Sequence, residues 1–171
     1  MLKKKIIDVQ VPLLGKTVEI FAAPEQLRGK TLRLDLTREL RGKNLEAVFQ
    51  LVVNGEIVAK PKEIVLLQSY IRRLMRRGTS YVEDSFVYSS KDVKLRMKIF
   101  LITRKKVHRA IRAALRNKAR EFLIGFCKEK SYEELFSLVL NGTIQKELGS
   151  KLRVIYPLSV CEIRRLKLEK S

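Results

Sequence analysis

Lys105, Arg109, Arg112, Arg116 and Arg120 recur at helical spacing within the stretch from Leu95 to Phe126. At about 100° per residue they fall within an arc of roughly 80°, stacked along ~22 Å of a helix rising about 1.5 Å per residue. Val107, Ile111, Ala114, Leu115, Phe122 and Phe126 collect on a different side. One face can therefore pack on a core while the other presents cations. Like charges at this spacing repel one another, so the arrangement makes sense against a polyanion, where guanidinium forks grip phosphate bidentately and ammonium groups act as point charges.

Further cations adjoin this stripe. Arg104-Lys105-Lys106 precede it, and Lys3-Lys4-Lys5 form a basic arm at the start of the chain. Arg72, Arg73, Arg76 and Arg77 close a helix expected over residues 62–77. One or two cations there would satisfy the helix macrodipole, at tenths of a kcal/mol each. Four exceed that need, so phosphate contact is expected for at least two. Arg164 and Arg165 are neighbours on the last strand, and strict alternation sends them to opposite faces, so at most one shares a surface with the rest.

Whole-chain charge agrees. Among 171 residues, 37 Lys and Arg face 18 Asp and Glu, a net charge of +19. On nucleic acid such an excess releases condensed counterions. Membrane binding is disfavoured, because no apolar run approaches the roughly 20 residues of a spanning helix and Ile6-Ile7 is broken by Asp8 before a signal-type core can form. Only 7% of residues are aromatic, too few for a single-strand binder built on stacking platforms.

Catalysis finds no support. His108 is the single histidine and has no nearby nucleophile; it flanks the basic stripe or is a plain surface residue. The glycines form no phosphate-binding fingerprint. Cys127 and Cys161 lack metal-type spacing and read as reduced, buried thiols of a cytosolic protein. No cofactor, metal or homo-oligomer is expected.

The elements that must position the cations follow from periodicity and turn residues. Residues 6–11 are a short extended candidate, and strands are expected at 17–21, 31–36, 44–53, 56–60, 79–88, 93–103 and 160–168, with Asn54-Gly55 as a two-residue hairpin turn. Helices are expected at 62–77, stopped by Gly78, then from the basic run to about Lys130, then from the Ser131 cap to Asn141-Gly142, and at 143–151. The expected fold is α+β, an antiparallel six- to seven-stranded β-barrel or barrel-like sheet with about four flanking helices, in which the last strand returns to close an edge. One domain covers 1–171, with residues 1–5 as arm, 6–168 as body and 169–171 as tail.

Four ordered segments resemble a known family. They are Tyr70-Ile-Arg-Arg-Leu-Met-Arg-Arg-Gly-Thr-Ser80, Lys94-Leu-Arg-Met-Lys98 with the basic helix after it, Ile155-Tyr-Pro-Leu158, and Glu162-Ile-Arg-Arg165. Together they are similar to the small-subunit ribosomal proteins called S-three-A-e (e-S-one), and the compact length looks archaeal. Ile6-Ile7 stand where members carry an aromatic residue, Gly78 stands at an often basic position, and residues 141–143 match loosely. The resemblance implies a structural component of the small subunit on the platform near the mRNA exit. Its implied partners are small-subunit rRNA, neighbouring platform proteins and mRNA near that exit. The expected rRNA contacts are Lys3, Lys4, Lys5, Arg72, Arg73, Arg76, Arg77, Arg104, Lys105, Lys106, Arg109, Arg112, Arg116, Arg164 and Arg165. The alternatives are a free RNA-binding translation factor and a basic adaptor for an acidic protein.

Overall fold

The computed structural model describes residues 5–40, 42–54 and 56–169. Eight strands form one sheet: β1 (Lys5–Val11), β2 (Lys16–Ala22), β3 (Thr31–Asp35), β4 (Leu45–Asn54), β5 (Glu56–Leu66), β6 (Tyr81–Ser89), β7 (Lys94–Thr103) and β8 (Leu158–Leu168). Five α-helical segments accompany them: the single turn α1 (Pro24–Leu27), α2 (Gln68–Leu74), α3 (Arg109–Lys128), α4 (Tyr132–Leu140) and α5 (Thr143–Leu152). The α+β class is as expected, with one strand more than the upper count.

The barrel expectation is corrected. Strand order is β2-β1-β5-β8-β7-β6, with β3-β4 joined to β5, and the sheet is not closed. Nor is it wholly antiparallel, because β1 meets β5 in parallel at Gln10↔Val58. β8 does not close an edge either. It inserts between β5 and β7, so the strand made last in sequence lies in the middle of the sheet. β8 and β1 both pair with β5, and they lead to separate wings, β8-β7-β6 and β1-β2. Each wing ends on a strand with one partner among the described residues, leaving the edges that a barrel would remove.

β5 explains the largest boundary error. Ile64, Leu67, Ile71 and Leu74 share helical spacing, but residues 62–66 continue the strand to Leu66 and α2 begins only at Gln68. The β-branched Ile64 and Val65 are paired on both sides, to Ala47 and Glu46 of β4 and to Leu166 and Arg165 of β8. Two ladders outweigh a weak helical preference. Pro61, a residue that argues against an interior strand position, sits where the register with β4 shifts beside Val48 and Phe49. Gly78 is likewise not the helix stop. α2 ends at Leu74 with Met75 as its C-cap, and Gly78 takes φ +81° in the turn beyond, a conformation suited to glycine. The β4–β5 hairpin forms, but its register pairs Val53 with Ile57 and Asn54 with Glu56, not Val53 with Glu56 as a two-residue turn requires, and Gly55 lies outside the described residues.

Helices α3, α4 and α5 pack on one face of the sheet, chiefly on β6, β5 and β8 respectively. That face contributes Leu95, Met97, Ile99 and Leu101 from β7 and Ile163 and Leu166 from β8, all at most 1% exposed. α4 starts as expected at Ser131. The Glu134 amide donates to Ser131 Oγ (3.4 Å), and the Ser131 amide donates to Glu134 Oε2 (3.3 Å), which satisfies two otherwise orphan donors.

Candidate nucleic-acid interface

The helical part of the cationic stripe is shorter than expected. α3 begins at Arg109 with His108 as its N-cap, so Arg104, Lys105, Lys106 and Val107 belong to the segment leading into it. Leu115, Ala119, Leu123 and Cys127 are its buried side. Ile111, Phe122 and Phe126 are half-buried beside them, and Ala114 is exposed, contrary to its expected place in the apolar face. Arg109, Arg112 and Arg116 are all exposed, although at about 100° per residue they project roughly 60–120° round from Leu115, into the arc that also holds Leu123 and Cys127.

Arg120 leaves the stripe. Its guanidinium donates to Asp84 of β6 through Nε (2.9 Å to Oδ2) and Nη2 (2.8 Å to Oδ1), and it lies over the Phe86 ring. The hydrogen bonds to Asp84 hold it above the ordinary arginine range. This bidentate pair fastens α3 to β6, a role that a helical projection cannot reveal because the carboxylate comes from a distant strand.

The lead-in segment is pinned from inside. Thr103, fully buried at the end of β7, donates its hydroxyl to the Lys105 carbonyl (2.7 Å) and accepts from the Ser80 amide (3.0 Å). The Thr103 amide donates to the Ser80 carbonyl (2.9 Å), and the Val107 amide donates to Ser80 Oγ (3.2 Å). Thr79 Oγ1 donates in turn to the Arg76 carbonyl (2.7 Å). Residues 76–80 and 103–107 are thus tied together, so two basic runs separate in sequence meet at one corner of the sheet. Neither Ser80 nor Thr103 stands out in the sequence, since a single hydroxyl carries no pattern.

Other expected contacts divide. Arg72, Arg76 and Arg77 are exposed, but Arg76 and Arg77 follow α2 rather than ending it. Arg73 is engaged within the fold: Nη2 donates to Asn44 Oδ1 (2.6 Å), and the guanidinium lies 5.6 Å from the centre of the Tyr70 ring. Lys5 is the first residue of β1, opposite Ala22, whereas Lys3 and Lys4 lie outside the described residues. Among the described residues, Arg72, Arg76, Arg77, Arg104, Lys105, Lys106, Arg109, Arg112 and Arg116 form no ion pair with a carboxylate.

Arg164 and Arg165 do not point to opposite faces. Lys98 pairs with Arg165 and Ile99 with Ile163, so Arg164 is an extra residue at a β-bulge. Ile163 and Leu166 are both buried, as they could not be under strict alternation. Both arginines therefore line one open concavity of about 600 Å³ with Arg116, Lys98, Glu83, Asp84 and Gln68. Arg164 donates to Glu83 (2.6 Å) and Gln68 (3.1 Å), and Arg165 donates to Glu63. The concavity wraps the edge strand β6 and joins the α3 surface to the sheet. A second, shallower hollow sets Arg104 beside Arg153 at the end of α5. Sequence reasoning passed over Arg153 because it stands alone.

Both cysteines are free thiols, Cys127 buried and Cys161 half-buried where burial was expected of both. Burial pushes Cys127 up to about 11 and Cys161 up to about 12, so both stay protonated near neutrality.

An open α+β sheet bearing exposed cations that form no ion pair among the described residues defines a strongly basic domain. The chain belongs to the Ribosomal S3Ae family, whose profile matches residues 2–171. It is 30% identical to the small ribosomal subunit protein eS1 of Nanoarchaeum equitans, over 98% of this chain and 90% of that protein. The eS1 protein of Halorubrum lacusprofundi is 28% identical over 91% of this chain and 74% of its own length. Membership of a ribosomal-protein family bears out both the resemblance and the expectation of a structural, non-enzymatic role.

Proposed function

We propose that this chain, as a structural component of the small ribosomal subunit, binds small-subunit rRNA through its basic corner and the adjoining face of α3. The corner comprises Arg76, Arg77, Arg104, Lys105 and Lys106, and the helix adds Arg109, Arg112 and Arg116. Arg72, Lys5 at the start of β1 and the arm residues Lys3 and Lys4 extend the contact, while Arg164 and Arg165 reach it at the concavity beside Arg116.

The observation that carries this reading is the start of α3. Its first turn holds no acidic residue, and its N-cap makes no side-chain hydrogen bond. The positive end of a helix macrodipole therefore coincides with a crowd of cations, each destabilised there by about 0.3–1 kcal/mol. A phosphate backbone reverses that sign, since helix N-termini and arginine forks both favour anions. Folded RNA is held in this way through backbone and 2′-hydroxyl contacts rather than by base readout.

The proposed seat is the platform near the mRNA exit, against neighbouring platform proteins and within reach of mRNA, in the cytoplasm. Sedimentation tests the assignment. The protein should remain with small subunits through moderate salt. Release by a mild salt wash would instead indicate a free translation factor, and absence from the subunit peak an adaptor.

A further inference from the structure

Cations also occupy the sheet face turned away from α3, α4 and α5, where strand alternation sends Lys94, Arg96 and Lys98. On β7 the side chains of Lys94, Arg96 and Lys98 share that face, while Leu95, Met97 and Ile99 between them are fully buried. β8 places Lys167 opposite Arg96 and Arg165 opposite Lys98. Like charges directly opposite each other on adjacent strands are destabilising, yet this sheet has two such pairs in succession. On its other side β7 meets Ser85, Val87 and Ser89 of β6, which offer no compensating carboxylate. Glu169 takes Arg96 and Glu63 takes Arg165, although Glu63 is itself in register with Lys167. Lys94, Lys98 and Lys167 form no ion pair among the described residues.

We infer that this face of β7 and β8 is a second RNA-contact surface, so that the domain is held between two RNA segments on opposite sides of its sheet. The inference rests on the rRNA-binding reading above. Alternate residues of a strand stand about 6.6–6.8 Å apart and neighbouring strands about 4.8 Å apart, so the lysines form a fixed lattice rather than a loose tuft. The side-chain chemistry favours a nucleic-acid backbone over a protein. Protein interfaces are built around apolar and aromatic anchors and are depleted in lysine, whereas here the residues in register with the β7 cations on β6 are Ser85, Val87 and Ser89, with Glu83 and Tyr81 farther along the strand. Phosphate contacts need only such donors. The concavity that wraps β6 makes this face continuous with α3 through Arg116 and Arg165.

The test compares three proteins on naked small-subunit rRNA: the full chain, Lys94→Ala/Lys98→Ala/Lys167→Ala, and Arg109→Ala/Arg112→Ala/Arg116→Ala. The lysine variant should lower the slope of log affinity against log salt by about two, since each phosphate left unneutralised removes roughly 0.7–0.9 from it. Its melting temperature without RNA should be unchanged or raised, because repulsion is relieved. Hydroxyl-radical footprints should show one segment unprotected in this variant and a different one in the arginine variant. Full-chain slope and footprint in the lysine variant, with changes only in the arginine variant, would overturn the inference. So would full RNA affinity combined with failure to enter small subunits, which would assign the face to a protein. Failure of the unsubstituted chain to bind rRNA at all would overturn the parent reading first.

Discussion

At the scale of single residues, the cations separate by what holds them. Arg73, Arg120, Arg164 and Arg165 each donate to an oxygen within the fold, so part of their charge is already engaged in packing α2, α3 and β8. Arg112 is exposed on α3 without such a partner among the described residues. Arg112→Ala should weaken rRNA binding and reduce its salt slope by about one phosphate's worth, leaving the melting temperature in place. Titration at several salt concentrations reads this directly, and an unchanged slope would strike Arg112 from the interface. Thr103 shows the converse case: uncharged and fully buried, it decides where Arg104, Lys105 and Lys106 stand.

At the scale of elements, α3 is the hinge between core and surface. Leu115, Ala119, Leu123 and Cys127 recur every four residues and are all fully buried. Burying a leucine of this kind contributes about 1.5–3 kcal/mol, while an unpaired carboxylate in its place faces a penalty of several kcal/mol or more. Leu115→Asp should therefore unfold the domain, seen as loss of the cooperative melting transition by circular dichroism. A variant that melts like the unsubstituted chain would refute the division of α3 into faces. The existence of α3 was legible because a helix of twenty residues repeats its signal over several turns, but its buried side was not: of the six apolar residues assigned to it only Leu115 is buried, and Ala119, Leu123 and Cys127 take that place. α2 was misplaced because its seven residues follow directly on a strand of eleven, and a short apolar run suits either conformation.

For the whole molecule, stability should depend on pH through its thiols, one buried and one half-buried. Cys127 and Cys161 are raised in the folded state to about 11 and about 12 from an ordinary 9.0. Their neutral forms thus favour folding fully below pH 9, and the contribution falls as pH rises from there through the folded values. Denaturant midpoints measured from pH 8 to 11 should drop less steeply in Cys127→Ala/Cys161→Ala than in the unsubstituted chain. Equal slopes would show that the thiols are not what titrates.

Composition, periodicity and local motifs determined much of this protein. The charge excess, the α+β class, most strand positions, the Ser131 capping box and the basic face of α3 all depend on residues near each other in sequence, where spacing and chemistry suffice. So did the family resemblance, carried by short ordered segments. Tertiary structure alone decided which cations remain available and which surfaces they share. Arg120 meets Asp84 across 36 positions, Arg164 meets Glu83 across 81, and Arg165 meets Glu63 across 102. The open sheet, the central place of β8 and the bulge at Arg164 have the same origin. Strand order and register are set by long-range pairing between ladders of similar apolar pattern, and a shift of one residue moves side chains to the other face.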